Sequence, residues 1–115
     1  MKREERIEWL KGCTQKERRE YYGEVANLRC IICGKLANTH HCYGHNFPAK
    51  REFRPCVPLC YDHHQGNGGI HSGKQTFEDT YGDQDYLLLL TEAHLEQSEQ
   101  TKRESRGVGS KEPFA

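Results

Sequence analysis

What this chain of 115 residues lacks narrows its function before any motif is considered. Only 34% of it is hydrophobic, so a large apolar interior is excluded. A domain this thin needs a staple: disulfides, a metal or a partner subunit. No apolar run approaches the roughly 18 residues of a membrane span. The longest run, Leu87 to Leu90, belongs to an amphipathic helical pattern, so no membrane partner is expected. No apolar segment follows the charged start "MKREERIEWLKG", which argues against a secretory signal. A soluble, cytoplasmic protein is the expectation. Net charge is also missing, with 17 Lys and Arg against 17 Asp and Glu. That balance excludes a protein that holds DNA by charge alone. It hides a gradient: residues 1–29 carry a basic surplus of two, 30–82 a surplus of one, and 83–115 a deficit of three. There is no internal repeat.

Cysteine and histidine are plentiful, with six and seven residues respectively. In a chain without export, clustered Cys and His read as metal ligation rather than disulfides. Cys30-x-x-Cys33 followed by Gly34 has the spacing of half a tetrahedral zinc site, since a two-residue turn brings both thiolates to one ion. Cys60-x-x-His63 supplies the other half. Cys56 in place of His63 is a second way to complete the set, and buried free thiols are the bland reading. Cys13 and Cys42 are left over, as small buried hydrophobes. A structural zinc site is closed at four ligands. His40, His41, His64 and His71 therefore remain, and a zinc that pins both halves brings them near one another. Two or three imidazoles around a second divalent ion, with one held back as a base, are parts for hydrolysis. The bland alternative is a group of unrelated surface or core histidines.

Around these residues the pattern predicts a short helix over 3–12 and a second from Thr14, in capping-box relation to Glu17, to about Tyr22. A strand running into His40–His41 and a second over Cys56–Cys60 follow, with Pro58 keeping the latter at an edge. Between them, 44–55 reads as an irregular loop. "YDHHQ" can open a helix that "GNGG" weakens, and "TFEDTYG" is a further helical turn. Asp83 is the candidate N-cap of the longest helix. The domain reading is an N-terminal helical segment 1–27, a core 28–82, a C-terminal helix 83–104 and a disordered tail 105–115.

The run Cys30-x-x-Cys33, His40-His41, Pro58-Leu59-Cys60-x-x-His63-His64 and His71 resembles the HNH endonucleases, especially their small phage and prophage branch. The likeness covers roughly residues 28–82. It implies an α+β chain: a small zinc-stapled ββα-metal core with flanking helices at both ends. It implies a metal-dependent DNA endonuclease in which His41 is the general base. His40, His64 and His71 would hold the catalytic ion, while Cys30, Cys33, Cys60 and His63 hold structural zinc. Mg2+ is the usual catalytic ion to expect, although an all-imidazole site also invites Mn2+, Ni2+ or Zn2+. Lys50, Arg51 and Arg54 are the candidate DNA contacts, interleaved with Phe47 and Phe53. So few basic contacts suit low specificity, or direction by a recombination or packaging protein. A phage-encoded chain would work in the host cytoplasm.

The chain departs from that family where a middle Asn commonly precedes the second strand and this sequence has "RPCVP". Asn46 and Asn67 are the substitutes at hand. A zinc-bound DNA or protein adaptor without catalysis is the main alternative, and a metal-storage or sensor module a third. The adaptor gives the His40–His41 pair no role, and the storage module leaves the fixed spacing unexplained.

Overall fold

Two helices open the chain, and the side chain of Thr14 separates them. In this computed structural model the backbone is described for residues 3–43 and 50–111, and the side chains for 3–43 and 50–99. Helix α1, Arg3–Gly12, buries Ile7 and Leu10. Helix α2, Gln15–Asn27, starts in the expected capping box. The Glu17 N–H donates to Thr14 Oγ1 at 3.1 Å, and the Thr14 N–H to the Glu17 carboxylate at 2.8 Å. Sequence periodicity ends α2 near Tyr22, but the helix continues to Asn27. Its last turn is kept by Val25, which is fully buried, against the weak helix propensity of Gly23.

The α+β expectation is met by five α-helices and one two-stranded antiparallel sheet among the described residues. Strand β1, Asn38–His41, pairs with β2, Cys56–Leu59, with His40 opposite Val57 and His41 opposite Cys56. Pro58 lacks an N–H, and in a sheet of two strands it lies at an edge as expected. Its carbonyl accepts the Ile31 N–H at 3.0 Å, which ties the Cys30–Cys33 turn to β2. Helix α2 grips the hairpin from outside: the Tyr21 hydroxyl accepts the Cys56 N–H at 3.2 Å. Trp9 of α1 packs edge-on against Tyr21, ring centroids 5.3 Å apart.

Helix α3, Tyr61–His64, is a single turn beginning where β2 ends. Helix α4, Lys74–Tyr81, buries Phe77, and α5 runs Gln84–Lys111. The Tyr86 N–H donates to Asp83 Oδ1 at 2.9 Å, so Asp83 is the N-cap the sequence suggests. The helix passes the expected boundary at 104 and runs through Gly107 and Gly109 to Lys111. Residues 112–115 lie outside the described part of the chain, as do Asn46 and Phe47 of the expected loop.

The core gathers Ile7, Val57, Leu59, Ile70, Phe77, Leu87 and Leu88. Beside it Arg6 is buried and donates twice to Glu92, at 2.8 and 3.2 Å, and to the Tyr43 hydroxyl at 3.2 Å. Tyr43 in turn donates to Asp85. This charge network locks α1 to α5 and to the residues just after β1, and it gives the buried Arg6 guanidinium the partners that a buried charge requires. Among the described residues no helix is long and apolar enough to cross a membrane.

Candidate metal centres and the adjoining cleft

The Cys30–Cys33 turn folds on itself because Gly34 adopts φ +79°, a conformation that L side chains rarely take. The Gly34 N–H returns to the Cys30 carbonyl at 2.9 Å and the Cys30 N–H to that of Lys35 at 2.8 Å. Cys60 then caps α3 and His63 sits on that helix. Cys30, Cys33, Cys60 and His63 come close enough to hold one metal ion. The separations are 3.6 Å for Cys33 Sγ to Cys60 Sγ, 3.8 Å for Cys30 Sγ to His63 Nδ1, and 3.2 Å for Cys60 Sγ to His63 Nδ1. A tetrahedral zinc with ordinary bond lengths needs S···S edges of about 3.8 Å and S···N edges of about 3.6 Å. The donor set and its edges therefore suit zinc.

Burial alone would push the Cys30 thiol up. Backbone amides of Cys60, Cys33 and Ile32 outweigh it and hold the thiol below its usual range. Stabilising the thiolate in this way favours metal binding. Cys56, the other way to complete the set, is absent from the cluster. It is fully buried in β2, and burial pushes its thiol up to about 12. The strand conformation that Val57 and Pro58 impose carries Cys56 away from Cys60, and His63 takes the fourth place. The ring of His63 meets Tyr81 of α4 edge-on at 5.4 Å.

The next residue on α3 faces different company. His64, His40 and His71 form a second group whose ligand atoms lie within 4.8 Å of one another. His64 Nε2 and His71 Nε2 are 3.0 Å apart. Cis ligands of an octahedral ion with bonds of about 2.1 Å are separated by about 3.0 Å. One N–H···N hydrogen bond could account for those two rings. It leaves His40, only 8% exposed, converging on the same point with no hydrogen bond to its ring among the described residues.

His71 does not arrive by the single helical face that a seven-residue step suggests. Helix α3 ends at His64, and Gly66 to Gly69 turn the chain back along it. The Ile70 and His71 N–H groups then donate to the His63 and His64 carbonyls, each at 3.0 Å. The turn is built on close backbone approach. A Cβ on Gly69 would stand 2.8 Å from the Asp62 oxygen and 2.9 Å from the His64 carbonyl carbon.

Consecutive residues of a strand alternate faces, which separates the contacts of His40 and His41. His41 meets the ring of Tyr22 at 5.1 Å, and Arg51 Nε donates to its Nδ1 at 3.5 Å. Burial first, then Arg51, Arg54 and His64, pushes His41 down to about 4. Burial, then His64, His71 and His41, pushes His40 down to about 3, and burial and His71 lower His64. All three rings are therefore neutral at pH 7 and keep a lone pair, which both a ligand and a base require.

His40, His41 and His71 line a cleft of ≈ 610 Å³ that Arg54 also enters. Of the three basic residues named from sequence, Arg54 lines this cleft with its Nε buried and unpaired, Arg51 touches His41, and Lys50 is exposed. The Phe53 ring lies beneath the Arg18 guanidinium at 4.9 Å. Sequence reasoning passed over Tyr22, which lies 19 positions before His41 on another element and has no local signal. Its hydroxyl lies 2.7 Å from the Glu52 carbonyl and 2.9 Å from that of Arg54. No protein-family model, curated protein or solved structure matches this chain.

Proposed function

We propose that the chain is a metal-dependent endonuclease of the HNH kind, hydrolysing DNA phosphodiester bonds. The observation that carries this reading is the second cluster: three imidazoles converge beside a cleft, with a fourth histidine held apart among arginines. A purely structural zinc protein has no use for that arrangement. Three protein ligands leave coordination positions open, as catalytic sites do and structural sites do not. His40, His64 and His71 would hold the ion. When bound, it supplies Lewis acidity towards a phosphate oxygen and eases deprotonation of water.

The chain's own groups do the rest. Arg54, which lines the cleft, binds a non-bridging phosphate oxygen and offsets the charge that grows there. With Arg51 Nε donating towards it, His41 Nδ1 is the nitrogen that carries the lone pair. A phosphate that draws the Arg51 guanidinium away frees this lone pair, and Nδ1 takes the proton from the attacking water. The cluster of Cys30, Cys33, Cys60 and His63 takes no part in the chemistry. It anchors the turn on which His64 sits.

Plasmid nicking by wild type and His41→Ala, each with Mg2+, Mn2+, Ni2+ or EDTA, tests the proposal. Metal-dependent nicking by wild type, lost by about 10²–10⁴-fold in His41→Ala, is the expected result. Equal activity in both proteins removes His41 as the base. Silence in both, with one tight metal per chain and no second, exchangeable ion, favours the adaptor reading.

A further inference from the structure

One side chain outside both clusters touches both His41 and the segment that carries Arg51 and Arg54. Tyr22, in the second half of α2, presents its ring to the His41 imidazole at a centroid distance of 5.1 Å and a tilt of 52°. Its hydroxyl lies 3.3, 2.7 and 2.9 Å from the carbonyls of Arg51, Glu52 and Arg54. A phenol has one proton, so these carbonyls share a single donor. Burial pushes that phenol up to about 12, so it stays protonated at neutral pH. The three carbonyls belong to the 3-10 turn Arg51–Phe53 and the residue after it. From this segment Arg51 reaches His41 Nδ1 at 3.5 Å and Arg54 enters the cleft.

We infer that Tyr22 is the positioning residue of the candidate base. Its ring sets the tilt of His41, and its hydroxyl sets the turn from which Arg51 and Arg54 act. The inference rests on the nuclease reading, yet its geometric content stands apart from it. Helix α2 is joined to the hairpin by a second contact of the same kind, since Tyr21 accepts the Cys56 N–H. The helix is thus registered against both strands, and a displacement of the Tyr22 ring moves the imidazole relative to β1. Catalytic groups tolerate little of this: a shift of about 1 Å can cost about 10²-fold in rate.

Two variants separate the two contacts. Tyr22→Phe keeps the ring and removes the donor, while Tyr22→Leu removes both. The zinc-loaded proteins are compared by kcat and KM for plasmid nicking, and by the imidazole ¹⁵N and ¹H signals of His41, assigned by their loss in His41→Ala. The expected result is a fall in kcat of about 10-fold in Tyr22→Phe and about 100-fold in Tyr22→Leu. KM should rise by less than kcat falls, since the residue orients the base directly and reaches the phosphate only through the turn that carries Arg54. The His41 signals should shift in both variants before DNA is added. Unmoved signals overturn the inference, and so does a rise in KM at constant kcat, which would make Tyr22 a DNA contact. If wild type itself nicks no DNA with any ion, the nuclease reading fails. The His41 spectra then still decide whether Tyr22 positions the ring.

Discussion

His63 and His64 are neighbours on one helical turn, yet each belongs to a different cluster. His63 joins three cysteines in a set that fills four tetrahedral positions. His64 joins two further histidines and leaves the set open towards a cleft. The first cluster draws on short local motifs, each closed by its own backbone hydrogen bonds. The second draws on a strand, a helix and a glycine turn that meet only in the folded chain. Two sets of different donor chemistry thus meet on one helical turn: a thiolate-rich set compatible with zinc, and an all-imidazole set whose ligands suit other divalent ions as well.

The largest effect should come from breaking the first cluster. Cys30→Ala removes one of the four donors and, because structural zinc contributes folding energy directly, should abolish the folded state. Circular dichroism with a zinc assay checks this, and a folded, zinc-replete Cys30→Ala would overturn the structural role. Breaking the second cluster should leave the fold standing. His71→Ala is expected to retain the tight zinc and the melting transition. Its affinity for Ni2+ or Co2+ at the other site, measured by calorimetry, should drop by more than the roughly 10–100-fold that an outer-shell change costs. If His71→Ala also loses the tight metal, the two clusters are not separable.

A smaller effect sharpens the comparison at the turn that joins them. Gly69→Ala forces a Cβ to within 2.9 Å of the His64 carbonyl carbon. It should cost about 1–3 kcal/mol of stability and weaken the second ion more than the first. Thermal melts with and without Ni2+ read both. A melting curve equal to wild type would show that the turn relaxes freely.

The smallest effect isolates the strands behind both sites. The Cys56 thiol is pushed from 9.0 up to about 12 in the fold, so its neutral form is favoured there. Stability from this group is fully present below pH 9 and is lost as pH rises from 9 towards 12, by at most about 1.4 kcal/mol per pH unit. Denaturant melts between pH 8 and pH 11 should therefore fall less steeply for Cys56→Ala than for wild type, although the variant starts lower. Equal slopes would assign the alkaline loss to other groups, of which buried Tyr21 is the first to test.

Local signals were legible where the chemistry is local. The capping box at Thr14, the Cys30–Cys33 turn, Asp83 as a cap and the two strands around the histidines all follow from residues a few positions apart. The end of α2 was not legible, because Val25 is held by tertiary burial, and no local signal places the end of α5 at Lys111. For His71, spacing suggested one helical face, whereas it is a reversing turn that brings the ring back. Tyr22 had no signal at all, since its partners lie 19 to 32 positions away on other elements.

By itself, then, the sequence determined the inventory: a small core and two sets of candidate metal ligands with their spacing. Ligand spacing is short-range geometry, and a two-residue gap brings two donors to one ion in almost any context. The spacing also assigned each histidine to its set, but folding alone brings each set to one point. The tertiary structure turned His41 away from His40 and placed Tyr22 and Arg51 around it. Those choices depend on strand alternation, on a close approach that only glycine permits, and on the packing of a distant helix. No short stretch of sequence encodes them.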